Sequence, residues 1–212
     1  VMSALKTKSY RVAPPRRQVL FGGLLGILLS VNAFACPICL DMPKETVADH
    51  LIRGEVVVLA RENAAVPFTY SLVEVLKGES PTRPFGLFVD SATRRRLSIN
   101  HDEAVILVEA KDGTWKRLGI ADKDYQQVVK RILLFSEQWS VKGDLQHRHQ
   151  FFLSLFGHRN QSISELAYLE LGRAPYATIR KAAEFVSRDD LRPILETRQY
   201  FAWRPLAILL LA

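Results

Sequence analysis

The pattern of hydrophobic and polar positions changes near residue 122. Before that point, short apolar runs alternate with turn-forming residues, a pattern typical of β-strands. After it, apolar residues recur at intervals of three and four, which is typical of helices. The sequence therefore predicts an α+β multidomain chain with a β-rich region over residues 36–121 and a helical region over residues 122–212.

Five short strands are predicted in the first region. Asp112-Gly113 supplies a hairpin turn between the last two, because this pair tolerates the positive φ that such a turn requires. Five strands in so short a stretch indicate a small closed or partly closed barrel, which leaves few free sheet edges. The predicted strands cover residues 55–60, 68–76, 86–90, 104–109 and 114–120.

The second region predicts short helices joined by short turns, which favours stacked antiparallel pairs. Ser162 and Glu165 have the spacing of a capping box, and Pro175, Pro193 and Pro205 stand where helices are expected to start. The apolar run 206–212 is expected to be a helix whose packing partner is missing, so the chain is interpreted as a possible fragment. The predicted helices cover residues 125–139, 144–156, 162–173, 176–187, 189–196 and 201–211.

The first 35 residues have the order of a cleavable export signal. Basic residues precede an apolar run at 19–31, which ends in Ala33-Phe34-Ala35, with small residues at both positions that signal peptidase reads. The run is shorter than the roughly 20 residues that a membrane-spanning helix needs. A periplasmic or secreted protein that begins at Cys36 is predicted. An uncleaved anchor, a twin-arginine signal at Arg16-Arg17 and a lipid anchor on Cys36 are the alternatives.

Removing this signal changes the charge of the chain. The whole chain has 29 Lys and Arg against 22 Asp and Glu, and five of the basic residues lie in residues 1–35, which hold no acid. The mature chain is therefore nearly balanced, at 24 basic against 22 acidic residues. This balance argues against a nucleic-acid partner, which a basic chain would suggest. The dense run Arg94-Arg95-Arg96 is interpreted as a solvated loop or strand end.

Cys36 and Cys39 are the only two cysteines, and their C-x-x-C spacing allows several roles. Export leads to an oxidising compartment, so a structural disulfide is the first interpretation. A redox pair is the second, because this spacing can lower the pKa of one thiol. Half of a zinc site would need two further ligands, and His147, His149 and His158 have no convincing spacing for them.

Other catalytic signals are sparse. A hydrolase site could be assembled from Asp90, Ser91, His101, Asp102 and Glu103, but no G-x-S-x-G or comparable motif supports it. Asp102-Glu103 is interpreted as a polar turn before a strand, and the run 147–149 as part of an exposed helix face. Neither catalytic residues nor a cofactor are predicted.

Residues 48–59, followed by the segment YSLVEVLKG at 70–78, resemble the opening of bacterial secreted domains with an OB-like fold related to netrin and tissue-inhibitor-of-metalloproteinase modules. Residues 150–177 resemble a HEAT-type helical pair, and the combination resembles uncharacterised exported proteins whose mature chain starts with C-P-x-C. The resemblance to the inhibitors implies that the Cys36 amine and carbonyl could chelate a protease's zinc. This chain has C-x-x-C where those inhibitors have C-x-C.

These observations predict an exported binding or scaffold protein with an unknown protein partner. Stacked helices form extended surfaces suited to such partners. A thiol-disulfide protein that uses Cys36 and Cys39 is the alternative, and an inhibitor-like module is the third. The membrane is involved only through the signal or through lipidation of Cys36.

Overall fold

The computed structural model describes residues 43–140 and 144–211, which form an α+β fold with one four-stranded antiparallel sheet and eight α-helices. The predicted fold class is confirmed at this level. The strands are β1 Val56–Glu62, β2 Tyr70–Lys77, β3 Ala104–Glu109 and β4 Trp115–Ala121. The helices are α1 Val47–Arg53, α2 Ser91–Ile99, α3 Lys123–Leu134, α4 Leu145–Leu153, α5 Gln161–Gly172, α6 Tyr176–Ala182, α7 Arg188–Glu196 and α8 Arg204–Leu211.

The sheet has the order β2-β1-β3-β4 and is open, since β2 and β4 are not paired with each other. No closed barrel is formed by the described residues. The strand expected at residues 86–90 is also not formed: the segment makes one isolated bridge, Thr69 with Phe88, and α2 begins at Ser91. The predicted hairpin turn is confirmed, with Gly113 at a φ of 76° between β3 and β4.

The two central strands are buried on both faces, which explains why the sheet stays open. Val57 and Leu59 of β1 join a core with α1 and α3. Val58 and Ala60 point to the opposite face, where Leu97 of α2 covers them. Continuous apolar runs such as VVVLA and AVILV are typical of strands that are covered on both faces. A small barrel would instead put one face of each strand outside.

The helical segments lie close to their predicted places, but several of their ends differ. Asn160 caps α5 by accepting hydrogen bonds from Ser162 and Ile163, so the capping box predicted at Ser162 and Glu165 is wrong. Pro193 lies inside α7 and does not start it, because Ser187 caps that helix. The predictions missed α1 and α2 entirely.

The run Arg94-Arg95-Arg96 lies within α2, so its interpretation as a loop or strand end is also wrong. Arg94 pairs with Glu62, and Arg96 pairs with Glu103. A further cation binds the end of this helix. The Arg61 guanidinium donates to the carbonyl of Leu97, in the last turn of α2, and to the carbonyl of His101, which follows the helix.

One hydrophobic core continues from the sheet into the helical region. It contains Ile106 and Val108 of β3, Val129 and Ile132 of α3, and Phe152 of α4, all of them buried. A second core lies among α5, α6, α7 and α8. The boundary predicted after residue 121 marks the change from strand to helix, but the first core extends across it. The described residues belong to one compact unit.

Candidate functional site

Five polar side chains from three separate segments meet inside the fold. We call them the Arg148 cluster: Thr46, Asp49, Arg148, Glu170 and Arg173. Arg148 is only 8% exposed, Asp49 is 7% exposed and Glu170 is 4% exposed. Charged side chains are rarely this deeply buried unless they are paired.

Arg148, on α4, is at the centre of the cluster. Its Nη2 donates to Asp49 Oδ1 at 2.7 Å, and its Nε donates to Glu170 Oε2 at 2.9 Å. Arg173 donates to the second oxygen of Asp49 at 2.5 Å. The Thr46 hydroxyl donates to Glu170. Each carboxylate therefore binds at least two donors, as a buried charge requires.

The cluster fixes α1 against the helical region. Thr46 and Asp49 form a capping box at the start of α1, and the same two side chains bind Glu170 and Arg148. The pKa of Asp49 lies below its usual range. Burial alone would raise it, but the hydrogen bonds from the Thr46 amide, Arg173 and Arg148 have a larger combined effect in the opposite direction. Burial raises the pKa of Glu170, although Arg148 and Thr46 act in the opposite direction.

A cleft of about 860 Å³ opens beside this cluster. We call it the α1 cleft, because one wall is α1 and the segment before it. The β3–β4 hairpin forms a second wall, and Leu145 and Trp139 form a third. Asp49, Arg148 and Arg173 of the cluster also reach this surface. The remaining lining residues are Glu45, His50, Ile52, Arg53, Gly54, Val108, Ala110, Lys111, Lys116 and Ser140.

Both carboxylates that line the α1 cleft already have cationic partners. Glu45 pairs with Arg53, and Asp49 pairs with Arg148 and Arg173. Lys116 has a different neighbour: its Nζ lies 2.8 Å from Nε2 of His50. Within residues 43–140 and 144–211, neither Lys116 nor Lys111 forms an ion pair with a carboxylate.

His50 is the titratable group in contact with Lys116. Partial burial and the neighbouring Lys116 lower its pKa, with a smaller effect in the same direction from Arg53, while Glu45 and Asp49 oppose the shift. The imidazole is therefore neutral at pH 7, and its Nε2 can accept a hydrogen bond from the Lys116 ammonium.

A second cleft, of about 840 Å³, lies between α3, the turn after α4 and the start of α7. Its charged side chains are more evenly matched. Arg159 pairs with Asp124 at 3.2 Å, Arg131 lies over the Phe151 ring, and Asp190 caps α7. The α1 cleft is the stronger of the two candidates. Its carboxylates are already ion-paired, and two of its ammonium groups have no carboxylate partner among the described residues.

The chain was compared with protein-family models, curated proteins and solved structures, and no match was found. Within the described residues, no helix is long and apolar enough to cross a membrane. The same residues place no three His, Cys, Asp or Glu side chains together as a metal site.

The site residues predicted from the sequence fall outside the described residues. Cys36 and Cys39 do so, as do Ala33 and Ala35 at the predicted cleavage site. The structural, redox, metal and lipidation alternatives for the cysteine pair therefore stay predictions.

The structure separates the residues of the hypothetical hydrolase site. Asp90 and Ser91 stand at the start of α2, and His101 and Asp102 follow its end. Nine helical residues at 1.5 Å each place the two groups about 13 Å apart. The interpretation of Asp102-Glu103 as a turn before a strand is confirmed, since β3 begins at Ala104.

The interpretation of residues 147–149 as an exposed helix face is wrong. Arg148 is buried in its cluster, and His147 is half-buried, where its Nδ1 accepts a hydrogen bond from Trp139 at 2.9 Å. His149 is also half-buried. An arginine among aromatic residues gives no sequence signal for burial unless its acidic partners are known. Those partners are 99 and 22 residues away along the chain.

Proposed function

We propose that this chain is an exported binding or scaffold protein that holds a segment of its protein partner in the α1 cleft. The observation that carries the proposal is the way the cleft is built. Its walls come from α1, the β3–β4 hairpin and the start of α4, and the Arg148 cluster fixes two of these walls to each other through buried hydrogen bonds. Preformed walls lower the entropy cost of binding.

The volume of the cleft agrees with this function. Ligand sites are typically concave, span roughly 300–1,000 Å³ and combine apolar walls with a few placed polar groups. The α1 cleft, at about 860 Å³, has Ile52, Leu145 and Trp139 as apolar lining, beside the charged groups described above. Leu145 is 54% exposed, so a partner could bury it.

We also propose a more distant relationship in fold. A hairpin, a helix and a second hairpin follow one another in the chain, which suits an open variant of the OB-like module with one strand reduced to the Thr69–Phe88 bridge. The packing of α4 on α5 and of α7 on α8 suits HEAT-like helical pairs. The export route rests on the signal pattern in residues 1–35.

Site-specific photocrosslinking tests the proposed function. A benzoylphenylalanine at position 145 is expected to crosslink a partner protein in the producing cell, because this position lines the α1 cleft. The matched control carries the same group at position 99, since Ile99 is 67% exposed on α2, which covers the other face of the sheet. Adducts are identified by mass spectrometry. The mass of the uncrosslinked protein in the same sample is expected to match a chain that starts at Cys36. The same adducts from both positions, or none from 145, would contradict the proposal.

A further inference from the structure

We propose that the α1 cleft recognises an acidic peptide segment, in which a carboxylate stands next to an apolar side chain. This inference rests on the proposed function, because it names the chemistry of the ligand in the same cleft. Seven charged side chains line the cleft. The five cations are Arg53, Lys111, Lys116, Arg148 and Arg173, and the two carboxylates are Glu45 and Asp49.

Three of those cations are paired with the two carboxylates, so the remaining positive charge of the cleft lies on its two lysines. Arg53 binds Glu45, whereas Arg148 and Arg173 bind Asp49. The ammonium groups of Lys111 and Lys116 are left on the hairpin wall. A cleft with excess charge of one sign concentrates ligands of the opposite sign, because its low-dielectric walls focus the field.

The contact between Lys116 and His50 leaves the ammonium group of Lys116 able to bind an anion. The ammonium has a neutral imidazole at 2.8 Å as its neighbour in place of a carboxylate. A carboxylate that enters beside Lys116 forms a hydrogen bond in which both groups are charged. Such a bond is stronger than one to a neutral acceptor such as the imidazole. The negative charge of that carboxylate would add to those of Glu45 and Asp49, which raise the pKa of His50 against the opposing effects of burial, Lys116 and Arg53.

The apolar lining explains why the ligand is a peptide segment. Leu145 is exposed in the cleft, and Ile52 is partly buried at the wall formed by α1. An apolar side chain beside the carboxylate would cover these residues. A nucleic acid fits less well, because its phosphates offer no apolar group to cover Leu145 and Ile52, and the mature chain carries little net charge.

Binding of blocked peptides to the mature full-length chain tests the inference. The probe is a short peptide that alternates leucine and glutamate, and its control has glutamine in place of glutamate. NMR titration of the backbone amides of Gly54 and Ala110, which line the cleft, measures the affinity. Only the glutamate peptide is expected to bind, and its affinity is expected to fall as salt is added.

Two charge reversals make the test specific. Lys116→Glu is expected to weaken the glutamate peptide about tenfold or more, because a charged hydrogen bond is replaced by repulsion. Lys181→Glu makes the same change of charge on α6, at an exposed position outside the cleft, and is expected to leave the affinity unchanged. Melting temperatures of both variants verify that each one folds.

Equal binding of the glutamine peptide, or equal effects of the two reversals, would overturn the inference. Inorganic phosphate that binds as tightly as the glutamate peptide would also overturn it, because the cleft would then be a site for small anions. If no peptide binds while the crosslink from position 145 still forms, the acidic ligand is wrong and the proposed function stands. If that crosslink also fails, both are wrong.

Discussion

Replacing Arg148 with methionine is expected to lower the free energy of unfolding by about 3–5 kcal/mol, because it leaves two buried carboxylates without their shared cation. Asp49 keeps Arg173, but Glu170 keeps only the Thr46 hydroxyl. Chemical denaturation of a chain that starts at residue 36 measures the loss. Arg159→Met is the control, since Arg159 pairs with Asp124 at the surface and is 85% exposed, and such pairs contribute less than about 1 kcal/mol.

The pH dependence of the Arg148→Met variant separates loss of charge pairing from loss of packing. The pKa of Glu170 is already raised above its ordinary 4.5 in the folded chain, and Arg148 is one of the groups that oppose the shift. Without Arg148 the pKa rises further, so the folded state holds the proton at a pH where the unfolded state has lost it. The stability of the variant is therefore expected to fall as the pH rises above 4.5.

A second substitution tests this reasoning. Adding Glu170→Gln to Arg148→Met removes the buried carboxylate, and it is expected to recover part of the stability and to flatten the pH dependence above 4.5. If the free energy of unfolding of Arg148→Met lay within about 1 kcal/mol of that of the natural chain, the Arg148 cluster would stabilise the fold no more than an exposed ion pair does. This result would contradict the structural role proposed for the cluster.

A fragment that ends at residue 121 is expected to have no cooperative unfolding transition. It keeps Val57 and Ile106 of the sheet but loses Val129, Ile132 and Phe152, which cover them in the first core. A sheet with one uncovered apolar face cannot offset the conformational entropy of ordering its chain. Circular dichroism during heating and the dispersion of amide signals measure the outcome.

The matched fragment ends at residue 174 and keeps α3, α4 and α5. It retains the side chains of the first core and loses most of the second, which α6, α7 and α8 build. We expect it to unfold cooperatively with reduced stability. The prediction fails if the shorter fragment, 36–121, melts cooperatively, because the β-rich region would then be an independent domain.

Much of the secondary structure follows from the local sequence, because the patterns of β1, β3 and α3 are strong. The continuous apolar runs of β1 and β3 also carry information about their environment, since a strand with both faces covered needs no polar alternation. The prediction of a barrel rests on the number of short strands alone, and that number does not say what covers each face. The missed helix α1 has its own signal in Thr46-x-x-Asp49, a capping box with aspartate at its last position.

The candidate site could not be predicted in the same way. Asp49, Arg148 and Glu170 are distant in sequence, and each one alone has the appearance of a surface charge. Glu170 carries the best local signal, because it interrupts the apolar helix segment LAYLELG. The pairing depends on how α1, α4 and α5 are placed relative to one another, and the apolar core that all three share decides this placement.

The affinity of the purified chain from residue 36 for the partner protein captured from position 145 tests the central claim most directly. If the α1 cleft is the binding surface, Lys116→Glu weakens that complex about tenfold or more, while Lys181→Glu leaves it unchanged. Equal affinities for the natural chain and the Lys116→Glu variant would contradict the account.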